Sequence, residues 1–383
     1  MNFKEHNAEV KKIWKSFDEG NPIRMPMIIG VGSRFYMLNE KLNTKKISYQ
    51  QYMSDPDIMF EVQAEFDRYK RFHIVADHMM GYPEEEGGWE TGIDFQNCFE
   101  AAWFGSEIKY PENDCPYPAH LLNDDNREML FEKGIPDPFE GWCGRARDYY
   151  ERFLEKQREY VLDGYPVSKI AVNYVHTDGP FTVACDLLGP SEACILLCED
   201  PDYMHQLLNY ITDSVINRVK AWRKYLGQPE LSAFYPFADD SIMLLSNDMY
   251  KEFILPYHKK LVKSLSTMTE PGIIHLCGDS TRHFETIKNE LNVKTFDTGY
   301  PVKHGELVKQ LGPDVQIQGG PTADLLRLGT PEEVKKEAKR IIDEVKPYTK
   351  KFILREGNNT APGTPLENIA ALYEAAKLYG RFE

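Results

Sequence analysis

The residue types best suited to chemistry fall at the ends of short apolar runs, and most lie in the second half of the chain. His275-Leu276-Cys277 is the sharpest pattern. In an extended strand, residues i and i+2 point to the same face, so an imidazole and a thiolate converge there. Nitrogen and sulfur donors meeting at one point suit zinc, which binds such ligands tetrahedrally. A pair of buried core residues would carry the same short motif, so the pattern alone leaves both readings open. Other polar groups close neighbouring runs: Asp77-His78, His176-Thr177-Asp178, Asp239-Asp240, Asp297, Gln318-Gly319-Gly320 and Arg355-Glu356-Gly357-Asn358-Asn359. His78 and His176 suit either substrate polar groups or structural hydrogen bonds. Arg355 suits an ion pair with Asp297 or Asp240, or a substrate contact. Cys194 and Cys198, within the helical stretch SEACILLCED, read as core packing.

Something must bring these run ends together. The apolar runs are 26–30, 72–77, 169–174, 231–237, 272–277, 293–297, 315–319 and 351–355. Near-continuous apolar runs of this length suit strands buried on both faces of a parallel sheet. The segments between them read as helices. Thr330-Pro331-Glu332-Glu333 predicts a capping box with proline in the first turn, and Thr364-Pro365-Leu366-Glu367 predicts a second one. Ser246 precedes a stretch in which Met249, Phe253, Ile254 and Tyr257 share one helical face. Eight strands alternating with helices predict a single (β/α)8 barrel over residues 1–383, where catalytic groups project from the C-terminal strand ends. A doubly wound open sheet is the alternative, but no GxGxxG follows the first run. Residues 78–168 break the alternation and hold three of the five tryptophans. They are expected to elaborate the barrel mouth, as a structural cap or an aromatic substrate wall.

Composition narrows the function classes. Of 383 residues, 42% are hydrophobic and 27% charged, which describes a chain able to bury a core. A net charge of −15 repels phosphate backbones and anionic lipid, so neither nucleic acid nor membrane is an expected partner. Seven cysteines without a CxxC pair fit a reducing compartment. The charged N-terminal stretch and the absence of long apolar runs predict neither signal peptide nor spanning helix, and a cytoplasmic protein.

From Asn173 onward the chain resembles the uroporphyrinogen decarboxylase superfamily, which includes corrinoid-dependent methyltransferases. The resemblance is carried by Asp178-Gly-Pro-Phe-Thr-Val-Ala-Cys-Asp-Leu-Leu-Gly189, Glu199-Asp-Pro201, Asp239-Asp240 and Ile274-His-Leu-Cys-Gly-Asp279. Phe296-Asp-Thr-Gly299, Gln318-Gly-Gly320 and Ala361-Pro-Gly-Thr-Pro-Leu-Glu-Asn368 continue it in order. It implies a single (β/α)8 barrel, and by analogy a homodimer. The decarboxylase branch carries an arginine-rich loop after its first strand, where this chain has only Arg34. That branch's tyrosine falls on Cys185 or Asp186, and its late histidine on Asn358. These departures argue against porphyrinogen decarboxylation, although Asp77 falls near the family's substrate-binding aspartate.

The methyltransferase branch carries a zinc HxC pair and a distal cysteine. His275 and Cys277 match the pair, whereas Asn358 stands at the cysteine. The resemblance therefore implies a zinc site with a carboxylate third ligand. Glu356 is the expected one, on the strand that supplies the family's remaining ligand, with Asp297 and Asp240 as alternatives. Exchanging thiolate for carboxylate gives a harder, more Lewis-acidic metal, suited to an ether oxygen. The implied activity is methyl transfer from a small methylated substrate, best a methoxylated aromatic, to a reduced corrinoid. Asp77-His78-Met-Met-Gly81 lacks the DxHxxG spacing, so the corrinoid is expected on a separate protein. Asp240 and Asp297 are expected in catalysis, and Asp77, His78, His176, Arg355 and Asn358 at the substrate. The other readings are a decarboxylase-like lyase and a non-catalytic corrinoid- or tetrapyrrole-binding barrel.

Overall fold

The computed structural model describes residues 2–84 and 87–382. Seven named strands build its parallel framework: β1 Trp89–Ile93, β2 Tyr165–Val172, β3 Phe237–Ala238, β4 Gly272–Leu276, β5 Val293–Thr298, β6 Gln316–Gly319 and β7 Phe352–Leu354. Strands β3 to β7 form one five-stranded, all-parallel sheet in chain order, and β1 pairs in parallel with β2. Residues 26–28 extend the β7 edge, since Leu354 exchanges backbone hydrogen bonds with Pro26 and Ile28. At the other edge the Ala238 N–H donates to the Thr177 carbonyl. Eight parallel segments alternating with helices thus match the expected barrel type. Among the described residues no ladder joins β1 to residues 26–28, so the ring of strand pairing is not continuous.

Ile274, Phe296, Ile317 and Phe352 are buried along this sheet and fill the core beneath its C-terminal ends. Its register decides where chemistry can occur. Ala238 pairs with His275, His275 with Asp297, and Asp297 with Gln318. Residues far apart in sequence therefore reach one level of the sheet. Gly299 allows the chain after β5 to pass close to the end of β4, because a Cβ there would lie 2.6 Å from the Cys277 Cα.

Three expectations need correction. The second expected strand, 72–77, is not one: helix Pro56–His73 runs through its start, and residues 74–77 are irregular. The apolar stripe Met59, Phe60, Val62 and Phe66 propagates that helix, and Lys70, Arg71 and His73 complement its C-terminal dipole. The missing strand is β1, inside the stretch 78–168 that was expected to lie outside the sheet; its sequence WETGI hides a buried strand behind Glu90, Thr91 and Gly92. The second capping box is also absent, because Pro365 occupies the N-cap and Thr364 Oγ1 donates to the Ala361 carbonyl. The Thr330 box forms in both directions.

Ser246 caps a helical segment as expected, accepting from the Met249 N–H. A π turn at Tyr250–Ile254 then leads into helix Leu255–Leu265. Pro256 has no N–H to continue a regular ladder, which favours the widened turn before it. The turn keeps Tyr250 and His258 in register, with the Tyr250 hydroxyl 3.1 Å from His258 Nδ1. His258 Nε2 in turn lies 2.9 Å from Asp239 Oδ2. No single helix among the described residues is long and apolar enough to cross a membrane.

Candidate metal centre and adjoining cavity

Adjacent aspartates at the end of β3 diverge in role. Asp239 is fully buried and accepts from the Phe181 and Thr182 backbone amides at 3.1 and 2.8 Å, capping helix Pro180–Leu188. With Asp239 held inward, Asp240 is left at the strand mouth, where its Oδ1 accepts from the Cys277 N–H at 2.7 Å. Asp240, His275 and Cys277 each offer one ligand atom, all lying within 4.8 Å of one another. His275 Nε2 lies 3.1 Å from Cys277 Sγ and 3.9 Å from Asp240 Oδ1. This is a preformed N, S, O donor triangle.

The opposite ring nitrogen is engaged. His275 Nδ1 lies 2.8 Å from Asp297 Oδ2, and Arg355 donates to Asp297 Oδ1. A carboxylate on Nδ1 selects the tautomer whose Nε2 lone pair faces the triangle, as in carboxylate–histidine–metal sites. Burial alone would lower the imidazole, but hydrogen bonds to Asp297 and Cys277 outweigh it and hold the protonated form up to about 11. Burial also raises the Cys277 thiol, against the opposing pull of His275. A cation at the triangle would reverse both preferences, since metal ligands must shed their protons.

The structure redistributes the expected site residues. Asn358 reaches the triangle, its Oδ1 3.2 Å from Cys277 Sγ. Glu356 does not join the metal-ligating group. It is fully buried, and its Oε1 accepts from Arg355 at 2.7 Å and from the Gly30 N–H at 2.9 Å. The strand ends at Leu354, so alternation no longer governs the chain beyond it, and these hydrogen bonds hold Glu356 inside while Asn358 reaches the mouth. Asp240, one of the two alternatives, is the carboxylate that joins the donor group. Burial pushes the Glu356 carboxyl up to about 7 despite the neighbouring guanidinium.

Asp77 and His78 sit at the other end of the strands. Both Asp77 oxygens are taken by the Arg24 fork, at 2.6 and 2.7 Å, and the Met27 N–H donates to it as well. The His78 carbonyl lies 3.0 Å from His6 Nε2, while its own Nε2 is buried without a partner among the described residues. Neither residue lines the mouth cavity. His176 does line it, with its carbonyl held by Arg218.

That cavity, of about 480 Å3, lies between residues 31–34, β1 and the end of β2, and reaches Asp178 and Asn359. Two of its acids have clear structural settings. Asp94, at the end of β1, accepts from Ser33 Oγ, from the Tyr52 hydroxyl at 2.9 Å and from the Gln96 N–H at 2.9 Å. Its position was hidden because β1 was not legible as a strand. Asp178 is placed by a buried ion pair: Arg218 holds Glu100 at 2.7 Å, and Glu100 Oε2 accepts from the Asp178 N–H at 2.7 Å. Burial, then the nearby Glu100, Asp186 and Asp240 carboxylates, keep Asp178 well above the usual carboxylate range. Its sequence signals are its place at a run end beside His176 and its membership in the DGPF stretch, and neither marks it out from its neighbours.

Comparisons with known proteins agree with this architecture. The family model described as uroporphyrinogen decarboxylase (URO-D) matches residues 91–379. The chain belongs to that family. A methylated-thiol–coenzyme M methyltransferase from Methanosarcina mazei is 34% identical over 200 residues, covering 52% of this chain and 51% of that enzyme. A uroporphyrinogen decarboxylase from Myxococcus xanthus is 30% identical over 256 residues, covering 64% and 67% of the two chains. The chain spans about half the length of the first of these curated relatives. A solved structure of a methyltransferase from Methanosarcina mazei superposes with a TM-score of 0.65 at 18% identity, over 96% of this chain and 98% of that one. This likeness extends the barrel type of fold over nearly the whole chain.

Proposed function

We propose that this protein is a zinc-dependent methyltransferase that moves a methyl group from a small methylated substrate to the corrinoid of a separate protein. The observation that carries the reading is the donor triangle of Asp240, His275 and Cys277. The donor set fits zinc, which accepts N, S and carboxylate O together. Bound there, zinc would polarise a substrate heteroatom and make the demethylated group a better leaving group. The name of the methanosarcinal relative, a methyltransferase acting on methylated thiols, supports group transfer over decarboxylation.

The chain's own residues would divide the remaining work. Asp297 fixes the His275 ring, and Asn358 flanks the side of the triangle beside Cys277. Asp178 lines the cavity, its carboxyl is held well above the usual carboxylate range by burial and its acidic neighbours, and it would supply a proton to the departing oxygen. One carboxylate among the ligands favours a harder atom than the sulfur of a thioether, so the substrate is best a methoxylated aromatic. Phe99 and Tyr174 on the cavity wall suit such a ring.

Methyl transfer to cob(I)alamin from a panel of methoxylated aromatics, methyl thiols and methylamines, with metal content measured on the same protein, tests this reading. Stoichiometric zinc and turnover of an aryl methyl ether are expected. Full activity in zinc-free protein would overturn it. Asp178→Asn should lower kcat about 10²–10⁴-fold with zinc content unchanged, the range of a lost general acid. Uroporphyrinogen should not be converted, since Arg34 stands alone in the loop where the decarboxylase branch is arginine-rich.

A further inference from the structure

The metal triangle and the cavity loop are joined by one continuous chain of hydrogen bonds. His275 Nδ1 meets Asp297 Oδ2 at 2.8 Å, and Arg355 Nη1 donates to the second Asp297 oxygen. Arg355 Nη2 donates to Glu356 Oε1 at 2.7 Å, and the same oxygen accepts the Gly30 N–H at 2.9 Å. The Gly30 carbonyl accepts from the Thr360 N–H at 2.8 Å, so both backbone groups of Gly30 are tied to the segment after β7. The next residues, Val31 to Arg34, line the cavity.

We propose that Arg355 and Glu356 are positioning residues, forming a relay through which the cavity loop at Gly30 sets the orientation of the metal ligand His275. The proposal rests on the reading of Asp240, His275 and Cys277 as a metal centre. Arg355 is a single cation shared between two carboxylates, each of which has a second partner. How much of its fork Asp297 receives depends on how firmly Glu356 is held from the other side. The Gly30 amide supplies that hold. A shift of the loop therefore changes the share of the guanidinium left to Asp297, and with it the grip on His275 Nδ1. Outer partners of this kind orient metal-bound imidazoles and tune their basicity.

Gly30 is packed directly onto the relay. A Cβ at this position would lie 2.5 Å from Glu356 Oε1 and 2.6 Å from Arg355 Nη2. Its φ is not in the left-handed region, so alanine would act through this contact and not through backbone strain. An added methyl group in the loop would thus disturb a metal ligand with which it shares no contact.

The test measures zinc affinity by chelator competition and the visible spectrum of the cobalt(II)-substituted full-length protein. Arg355→Met should weaken zinc about 10–100-fold, as loss of an outer partner does. Gly30→Ala should weaken it several-fold and shift the cobalt bands. Glu356→Ala should do the same, whereas Glu356→Gln should stay close to wild type, because its amide oxygen still accepts from both Gly30 and Arg355. Rescue by glutamine separates this role from direct ligation, which would lose the anionic donor in either variant. Melting of the metal-free variants monitors folding. If Arg355→Met does not fold, Gly30→Ala and the two Glu356 variants carry the test. Wild-type affinity and spectrum in Gly30→Ala and Glu356→Ala would overturn the relay while leaving the metal centre standing. A wild-type protein that binds neither zinc nor cobalt would overturn both.

Discussion

Two arginine–aspartate pairs lie at opposite ends of the parallel strands, and only one of them is free to serve a reaction. At the N-terminal end, Arg24 places two guanidinium nitrogens on the two oxygens of Asp77, and the Met27 amide adds a third donor. The side chains are 2% and 0% exposed. Every partner there belongs to the protein framework. At the C-terminal end, Arg355 divides its fork between Asp297 and Glu356. That division leaves Asp297 Oδ2 for the imidazole of His275. A closed fork acts as a strut, while a split fork transmits orientation to a third group. The nearby histidines show the same contrast. Burial, then the charges of Lys70, His6 and Arg71, push His78 down to about 4 against the pull of Asp67, whereas His275 is held up to about 11 by partners that outweigh burial.

The comparison can be broken most strongly at the triangle. Cys277→Ala should reduce methyl transfer to background and lose more zinc affinity than the 10–100-fold expected of an outer partner. Its urea midpoint without metal should remain near wild type. A Cys277→Ala protein with full zinc and full activity would show the triangle has been misread.

Asp77→Ala should do the reverse. It leaves Arg24 buried without its partner, which costs about 3–5 kcal/mol of stability. Urea unfolding should show that loss, while zinc affinity of the folded fraction stays unchanged. A specific change in substrate KM at full stability would restore Asp77 to the substrate site.

The His78 difference predicts a pH dependence with a definite sign. The unfolded ring titrates near the ordinary value of 6.5 and the folded ring near 4, so the unfolded chain binds the extra proton first. Stability should therefore fall as pH drops from 6.5 towards 4, by about 2–3 kcal/mol for this ring. His283 and His304, also pushed down to about 4 by burial, add to the same acid limb. His78→Gln should shallow the limb in urea midpoints measured across that range. An unchanged slope would mean that His78 does not contribute to it.

Asp297→Asn is the smallest and sharpest change. The amide keeps an oxygen but removes the charge, so zinc affinity should drop about tenfold, towards the low end for an outer partner. Stability should change far less than in Asp77→Ala, because Asp297 is the less enclosed of the two. Equal losses of stability in the two variants would erase the distinction between strut and relay.

The strands from β4 to β7 were legible because their apolar runs are short, β-branched and bounded by polar or glycine residues. His275 and Cys277 followed from strand periodicity once β4 was in place, and Asp240 and Asp297 from the run ends beside it. The first third of the chain was less legible. FHIVAD looks like a strand, yet its phenylalanine and histidine form the last turn of helix Pro56–His73. WETGI does not look like one, yet tertiary burial makes it β1. Exchanging these two segments misplaced the strand-end aspartate at Asp77 and concealed Asp94.

By itself, the sequence determined the alternation of strands and helices in the second half of the chain, the imidazole–thiolate pair on one face, and the net acidic charge. Those properties depend on local periodicity and on summed charge. Only the tertiary structure decided which carboxylate completes the triangle. Asp240, Asp297 and Glu356 are alike in chemistry, and all three lie at strand ends. Register brings Asp297 beside His275, Asp239 occupies the buried position and leaves Asp240 at the mouth, and the Gly30 amide with Arg355 holds Glu356 inside. The choice rests on contacts between segments as far apart as residues 30 and 356, and no local pattern records them.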